Sequence, residues 1–193
     1  HEQEGLVDVP HLLDLAGLTR AKVLELRDIR LALEGLATEK AARCTTRAQI
    51  AGLRHIALEI VEARDRGDVP MDRMKIREFH FAVYRIAGQP TLLRTIEGLW
   101  LQTGPYLNHV YPDYVGTRRG VEGRLGLIRA LQAHDAAAAR REMESDIGQA
   151  LSYVADLADA DGNIAPAPPQ ALPRRRGRVT AAYGNNLSAP LGL

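Results

Sequence analysis

Apolar residues recur at intervals of three and four along most of the chain, which is the spacing of one face of an α-helix. No convincing stretch has the alternation of apolar and polar residues that a half-buried strand requires. The pattern therefore predicts an all-α fold, an antiparallel bundle of about six helices joined by short connections. The predicted bounds are about 19–42, 46–67, 72–87, 90–111, 117–134 and 135–161.

Residues that favour helix starts lie at several of these bounds. Thr19 is suited to cap the first helix, Thr45 or Thr46 the second, and Asp135 the sixth. The helical periodicity also indicates which side chains face the core. The apolar positions predicted to be buried include Leu26, Ile29, Leu33, Met74, Phe79 and Val83.

The two ends of the chain differ from the helical region in composition. Residues 1–17 contain proline and glycine and are predicted to form an N-terminal arm or linker, followed by a helical ligand-binding domain over residues 18–162. Residues 163–193 are rich in proline and contain an arginine cluster at 174–178, which is typical of a flexible, disordered tail. For the cluster, a solvated end and a contact with DNA phosphates or an acidic neighbour both remain open.

Length and composition narrow the class of protein. At 193 residues, with 46% hydrophobic and 25% charged, the chain is long enough for one well-buried domain. It has no visible signal peptide and no apolar run of roughly 20 residues, and its single cysteine, Cys44, cannot form an internal disulfide. We therefore expect a cytoplasmic protein with no membrane partner. Because the first residue is His1, we also expect the natural start to be missing.

The net charge of +1 is distributed unevenly. The arginine cluster carries four positive charges, which leaves residues 1–164 with a net charge of −3. A mildly acidic helical region lacks the overall positive charge that favours binding of nucleic acid. We therefore expect any contact of this region with DNA to be indirect.

Three groups of residues are more specific than the helical pattern. They are Leu26–Glu34, Phe79-His80 with Ala87–Pro90, and Ala130–Ala136. Their order and spacing resemble the FCD effector domain of GntR-superfamily transcription regulators, in the FadR subfamily, over roughly residues 18–160. Gln89 stands where the family pattern has asparagine.

The resemblance implies a regulator whose N-terminal winged helix-turn-helix domain binds operator DNA, commonly as a homodimer. We expect that domain to precede position 1, so that this chain is the effector-sensing half and not an enzyme. Paired Glu-x-x-His motifs are also absent from the sequence, and no Ser/His/Asp or Cys/His arrangement stands out. A structural dimerisation module with a vestigial pocket stays open as an alternative.

The resemblance also raises the question of a metal. Many members of the family are expected to hold one with an Asp and a His one helical turn apart and two more His on the last two helices. Only His80 is retained here, because Ile76, Arg124 and Asp146 occupy the other three positions. Isoleucine donates no ligand and a permanent cation opposes a divalent ion. We expect no cofactor, with metal-dependent effector binding at a degenerate site as an alternative.

Arg124 suggests a different way to bind an effector. A guanidinium matches the fork geometry of a carboxylate, so it can take a small organic acid directly. The residues predicted to bind this acid are Arg30, His80, Tyr84, Trp100, Gln102, Arg124 and Asp146. Structural roles compete with this hypothesis: an intrahelical pair of Arg30 with Glu34, a salt bridge of Arg124 with Asp146, and core packing of His80 and Trp100. The histidines expected at the surface are His11, His55, His109 and His134.

Overall fold

A computed structural model of the protein describes residues 19–104, 106–110 and 119–165. These residues form six α-helices and one short 3₁₀-helix, without strands, which confirms the predicted all-α bundle. The α-helices are α1 (Arg20–Ala42), α2 (Arg47–Arg66), α3 (Val69–Ile86), α4 (Pro90–Thr103), α5 (Arg119–Gln132) and α6 (Ala136–Ala155). The 3₁₀-helix spans Tyr106–Val110.

Side-chain caps explain where three of the helices begin. Thr19 accepts a hydrogen bond from the backbone N–H of Lys22, and Asp135 does the same for Ala138. At α2 it is Thr46 that caps, and it forms a reciprocal capping box with Gln49. These caps satisfy backbone donors that have no partner within the helix, so local sequence sets these boundaries.

Three predicted boundaries are wrong by several residues. One is the end of α6, which lies at Ala155 and not near 161. α3 begins at Val69 and not near 72, because Asp68 is its cap and Pro70 is tolerated in a first turn. α4 ends at Thr103 and not near 111, and the chain continues after Gly104 as the 3₁₀-helix. A proline at 105 explains this end, because proline has no backbone N–H with which to continue the hydrogen bonds of the helix.

The helices pack around one shared core. α1 lies along α6, α2 lies along α3, and α5 contacts both α6 and α2. α3 and α4 also contact α1, so α1 touches most of the bundle. The aromatic part of the core is supplied by α3, where Phe79, Phe81 and Tyr84 are almost completely buried.

Two apolar residues predicted to be buried are exposed. Ile29 is 38% exposed and Met74 is 52% exposed. On α1 the buried stripe instead includes Leu26, Arg30 and Glu34, so two of its members are charged. A prediction based only on apolar positions therefore assigns Ile29 to the buried face of this helix, where the structure has Arg30 and Glu34 instead.

Both predicted terminal segments lie mainly outside the described residues. This applies to the arm at 1–17 and to the arginine cluster at 174–178. The first residues after 162 are described and lie on the bundle, where Asn163 bridges to Thr19 and Ile164 is buried in the core. Among the described helices, none has the length and apolar character needed to cross a membrane.

Candidate ligand-binding site

A cavity of about 380 Å³ lies inside the bundle, where side chains from all six α-helices and the 3₁₀-helix meet. Its volume is near the lower end of the roughly 300–1,000 Å³ that is typical of small-molecule sites. Part of its wall is apolar and includes Leu107, Val110, Ile147 and Leu151. This size and lining suit a small molecule that has an apolar part.

Five of the seven residues predicted to bind a ligand line this cavity. They are Arg30, His80, Trp100, Arg124 and Asp146. Tyr84 is buried and contacts His80. Gln102 is exposed, and its side-chain amide donates to the carbonyl of Gly98. Because Gln102 follows Trp100 by two residues, it points about 200° away around α4, and the structure does not bring it to the cavity.

Glu34 lies beneath these residues and bonds to three of them. The sequence indicated it only as the partner of Arg30 in an intrahelical pair. Its carboxylate is completely buried and accepts hydrogen bonds from three side chains. Arg30 Nε donates at 2.5 Å, Trp100 Nε1 donates at 3.1 Å, and the Tyr84 hydroxyl donates to the same oxygen as Trp100. The intrahelical pair of Arg30 with Glu34 is therefore present. A buried carboxylate needs such donors, because an uncompensated charge in the interior is costly.

Hydrogen bonds hold both ring nitrogens of His80. Nδ1 lies 3.0 Å from the Tyr84 hydroxyl oxygen, and Nε2 lies 3.1 Å from Asp146 Oδ2. Burial and the charge of Glu34 raise the pKa of Tyr84 well above 10, so Tyr84 keeps its proton and donates it to Glu34. The Tyr84 oxygen then accepts from Nδ1–H, and an ionised Asp146 accepts from Nε2–H. These contacts fix the orientation of the imidazole ring between α3 and α6.

Asp146 is ionised because of the positive groups around it. Burial by itself raises its pKa, but the hydrogen bond from His80 and the charges of Arg124, His80 and Arg64 outweigh burial. Together they lower the pKa of Asp146 from 3.8 to about 2. Its side chain is 20% exposed. This carboxylate is thus a negative group at the edge of a positively charged wall.

Three further arginines line the cavity, and the sequence hypothesis missed them. They are Arg64 on α2 and Arg73 and Arg77 on α3. Arg73, Arg77 and His80 are separated by four and three residues, so a common face was visible in the sequence. Arg64 had no such signal, because only the packing of α2 against α3 and α5 brings it to the cavity. Among the described residues of the cavity wall, five are arginines and one is acidic.

The donors in the described part of the chain do not fit a divalent metal ion. They include no group of three or more His, Cys, Asp or Glu side chains that could hold one. Ile76 and Arg124 line the cavity, where they present an apolar group and a positive charge. Both ring nitrogens of His80 already have protein partners, Tyr84 and Asp146.

One of the four histidines expected at the surface is buried. His109, in the 3₁₀-helix that packs on α6, is only 8% exposed, and burial lowers its pKa. His55 and His134 are exposed, and His134 Nδ1 contacts the carbonyl oxygen of Ala42 at 2.8 Å. His11 lies outside the described residues.

Comparison with known proteins agrees with this architecture. The FCD domain family matches residues 25–149. The HTH-type transcriptional regulator McbR of Escherichia coli (strain K12) is 30% identical over 113 residues, which are 58% of this chain and 51% of McbR. The solved structure of E. coli McbR/YncC superposes with a TM-score of 0.66 and 26% identity, over 70% of this chain and 69% of that one.

The chain spans about half the length of this curated relative. The matched region contains α2 to α5 entirely and most of α1 and α6, and thus most of the elements that line the cavity. It also contains the three groups of residues that carried the resemblance. The chain therefore belongs to the FCD domain family, the effector domains of GntR-type transcription regulators.

Proposed function

We propose that this chain is the effector-sensing domain of a DNA-binding transcription regulator and that its effector is a small organic acid bound in the cavity. The observation that carries the proposal is the cavity wall itself, with five arginines and one acidic residue among its described members. Guanidinium groups bind carboxylates through charge-assisted, often bidentate hydrogen bonds. In a partly buried site such contacts are stronger than in water.

The remainder of the wall suggests the kind of acid. Leu107, Val110, Ile147 and Leu151 offer an apolar surface beside the charged groups. Burial of apolar atoms contributes roughly 25 cal/mol per Å², which favours a ligand with a hydrocarbon body. We therefore propose a compact carboxylate with an apolar part and not a highly hydrated polyanion.

The partners follow from the family. The name of the relative McbR describes an HTH-type transcriptional regulator, and we propose that this chain likewise acts with a helix-turn-helix domain that is not in the present sequence. Operator DNA would bind through that domain in the cytoplasm, and the domains would form a homodimer. The acid can then change DNA affinity only by binding two arrangements of the dimer with different affinity.

A structural dimerisation module is a second candidate, favoured by one observation. The hydrogen bonds of Glu34 with Arg30, Tyr84 and Trp100 join α1 to α3 and α4, which gives these side chains a structural role. In that case the cavity would have no effector. Metal-dependent effector binding has no such support, because the described donors do not fit a divalent ion.

Thermal unfolding with matched acids and amides separates these candidates. We expect benzoate or succinate to raise the melting temperature of the chelator-treated chain, while benzamide and succinamide at the same ionic strength do not. Arg124→Gln should weaken the response to the acid, whereas Arg129→Gln, at an exposed arginine of the same helix, should leave it intact. The acid-sensing proposal is contradicted if neither these acids nor longer and branched carboxylates raise the melting temperature.

A further inference from the structure

We infer that the carboxylate of the acid binds at one defined end of the cavity, between Arg64 on α2 and Arg124 on α5, against Gly120. The inference rests on the proposed function, since it locates the anionic group of the same effector. It adds two residues, Arg64 and Gly120, for which the sequence alone gave no role.

The guanidinium groups of Arg64 and Arg124 both lie close to Gly120. A Cβ atom built on Gly120 would lie 3.3 Å from Arg124 Nη1, 3.6 Å from Arg124 Nη2 and 3.7 Å from Arg64 Nη1. Arg124 is 5% exposed, and the side chain of Arg64 is 11% exposed. Both groups are positively charged, and burial strengthens the attraction of each for an anion. Arg64 is also paired with Asp72, and a ligand carboxylate placed near Gly120 would be attracted by both guanidinium groups at once.

Neighbouring groups hold both guanidinium groups in place. Arg64 donates from Nε to Asp72 Oδ1 at 2.9 Å, and Asp72 is 2% exposed. This bond engages one edge of the Arg64 guanidinium, while its Nη1 lies near Gly120. Arg124 donates from Nη1 to the Gly120 carbonyl at 2.5 Å. Because both groups are already oriented, an acid would lose little affinity to ordering them.

Gly120 matters to this subsite because it has no side chain. It lies in the first turn of α5 and lines the cavity. Because it has no Cβ, both guanidinium groups can approach its backbone, where a larger side chain would contact them.

Removal of the charge on Asp146 should strengthen binding of the acid, whereas changes at the two arginines should weaken it. The charges of Arg124 and Arg64 both act on its carboxylate, so Asp146 lies within the field of the same two arginines. A ligand carboxylate would therefore be repelled by Asp146 while it is attracted by the pair. Asp146→Asn keeps the size of the side chain and an oxygen acceptor for His80 but removes the repulsion. We expect this variant to bind the acid more tightly, by severalfold.

A pair of glycine substitutions on one helix is the sharpest experiment. Gly120→Ala adds a methyl group where it meets Arg124 and Arg64, whereas Gly123→Ala adds the same group with nothing within 4 Å. Alanine has the higher helix propensity, so both variants should fold. Calorimetry first determines whether the wild type binds benzoate or succinate more tightly, and the tighter ligand is used as the probe. The corresponding amide, which carries no charge, is the control ligand. We expect Gly120→Ala to lose about tenfold in affinity, the size of one charge-assisted hydrogen bond, and Gly123→Ala to bind like the wild type.

Arginine substitutions test the pair directly. Arg64→Lys keeps a positive charge beside the buried Asp72 but loses the fork, so we expect about tenfold weaker binding of the same probe. Arg66→Lys, at an exposed arginine of the same helix, is the matched control and should bind like the wild type. The subsite is overturned if the wild type binds the acid while Gly120→Ala and Arg64→Lys bind it as tightly as their controls. In that outcome the proposed function stands, whereas failure of the wild type to bind any acid removes the proposed function itself.

Discussion

At the scale of single residues, His80 joins the cavity wall to the buried network of Glu34. Its two nitrogens contact Tyr84 on one side and Asp146 on the other. The sequence suggested His80 as a ligand contact or a satisfied core histidine, and the structure gives it features of both. It lines the cavity, yet both of its nitrogens already have protein partners. A role in orienting Asp146 therefore fits the geometry better than a role as a metal ligand.

The ionisation of Asp146 predicts a pH dependence of stability. Its pKa is about 2 in the folded chain against a reference value of 3.8, so the folded state binds this proton less tightly than the unfolded state. A depressed pKa stabilises the fold above the unfolded value, and the contribution disappears as the pH falls through the folded value. The shift corresponds to about 2 kcal/mol of unfolding free energy.

Urea unfolding of the wild type and Asp146→Asn measures this contribution. We expect the advantage of the wild type to be largest above about pH 4 and to shrink as the pH is lowered toward 2. Asp156→Asn, at an exposed aspartate just after α6, provides the baseline for loss of a carboxylate. A wild-type advantage that stays constant from pH 5 to about pH 2.5 would contradict the assignment.

At the scale of elements, α1 connects the cavity wall to the buried side chains of α3 and α4. Its buried stripe carries Arg30 and Glu34, and the carboxylate of Glu34 bonds to side chains of α3 and α4. The guanidinium of Arg30 also lies 4.5 Å from the centre of the Trp100 ring, within range of a cation–π contact. Polar contacts between buried elements thus fix how these three helices meet.

Removal of the charge on Glu34 should destabilise the packing of α1 against α3 and α4. Glu34→Gln leaves Arg30 buried without its countercharge, and we expect a loss of about 3–5 kcal/mol in the free energy of unfolding. Glu25→Gln is the control, because the pair of Glu25 with Lys22 is exposed and should contribute about 0–1 kcal/mol. Chemical denaturation measures both variants. Equal stability of the two would mean that the network of Glu34 does not hold the helices together.

At the scale of the whole molecule, the cavity is a property of the assembled bundle. Residues from every described helix contribute to its wall, and its arginines come from α1, α2, α3 and α5. Side chains so far apart in sequence meet only after α2 has packed on α3 and α5. The positive character of the wall is therefore decided by the arrangement of helices and not by any one motif.

This arrangement predicts the response to metal ions. We expect treatment with a chelator to leave the melting temperature and the binding of benzoate or succinate unchanged, because Ile76 and Arg124 replace donors in the cavity. The double substitution Ile76→Asp with Arg124→His should raise the affinity for Zn²⁺ above that of the wild type. Titration with Zn²⁺, followed by calorimetry, measures both proteins. A tight Zn²⁺ site in the wild type would contradict the prediction.

Local chemistry made much of the fold predictable. The caps Thr19, Thr46 and Asp135 act within one helical turn, so short-range sequence was sufficient to place the starts of three helices. The end of α4 was placed too late because the apolar pattern continues beyond Gly104, whereas the following proline has no N–H to continue the helix. Ile29 and Met74 were misplaced because charged residues take inward positions that the apolar pattern assigns to hydrophobic ones.

The chain by itself determined the helices, the family and a short set of candidate residues, because these depend on spacing within one or two turns and on local motifs. Only the tertiary structure decided that Arg64 and Arg124 both lie near Gly120, that Glu34 accepts hydrogen bonds from three side chains, and that Gln102 is exposed. The physical reason is that a cavity wall is set by helix rotation and packing angle, which depend on contacts between residues far apart in sequence.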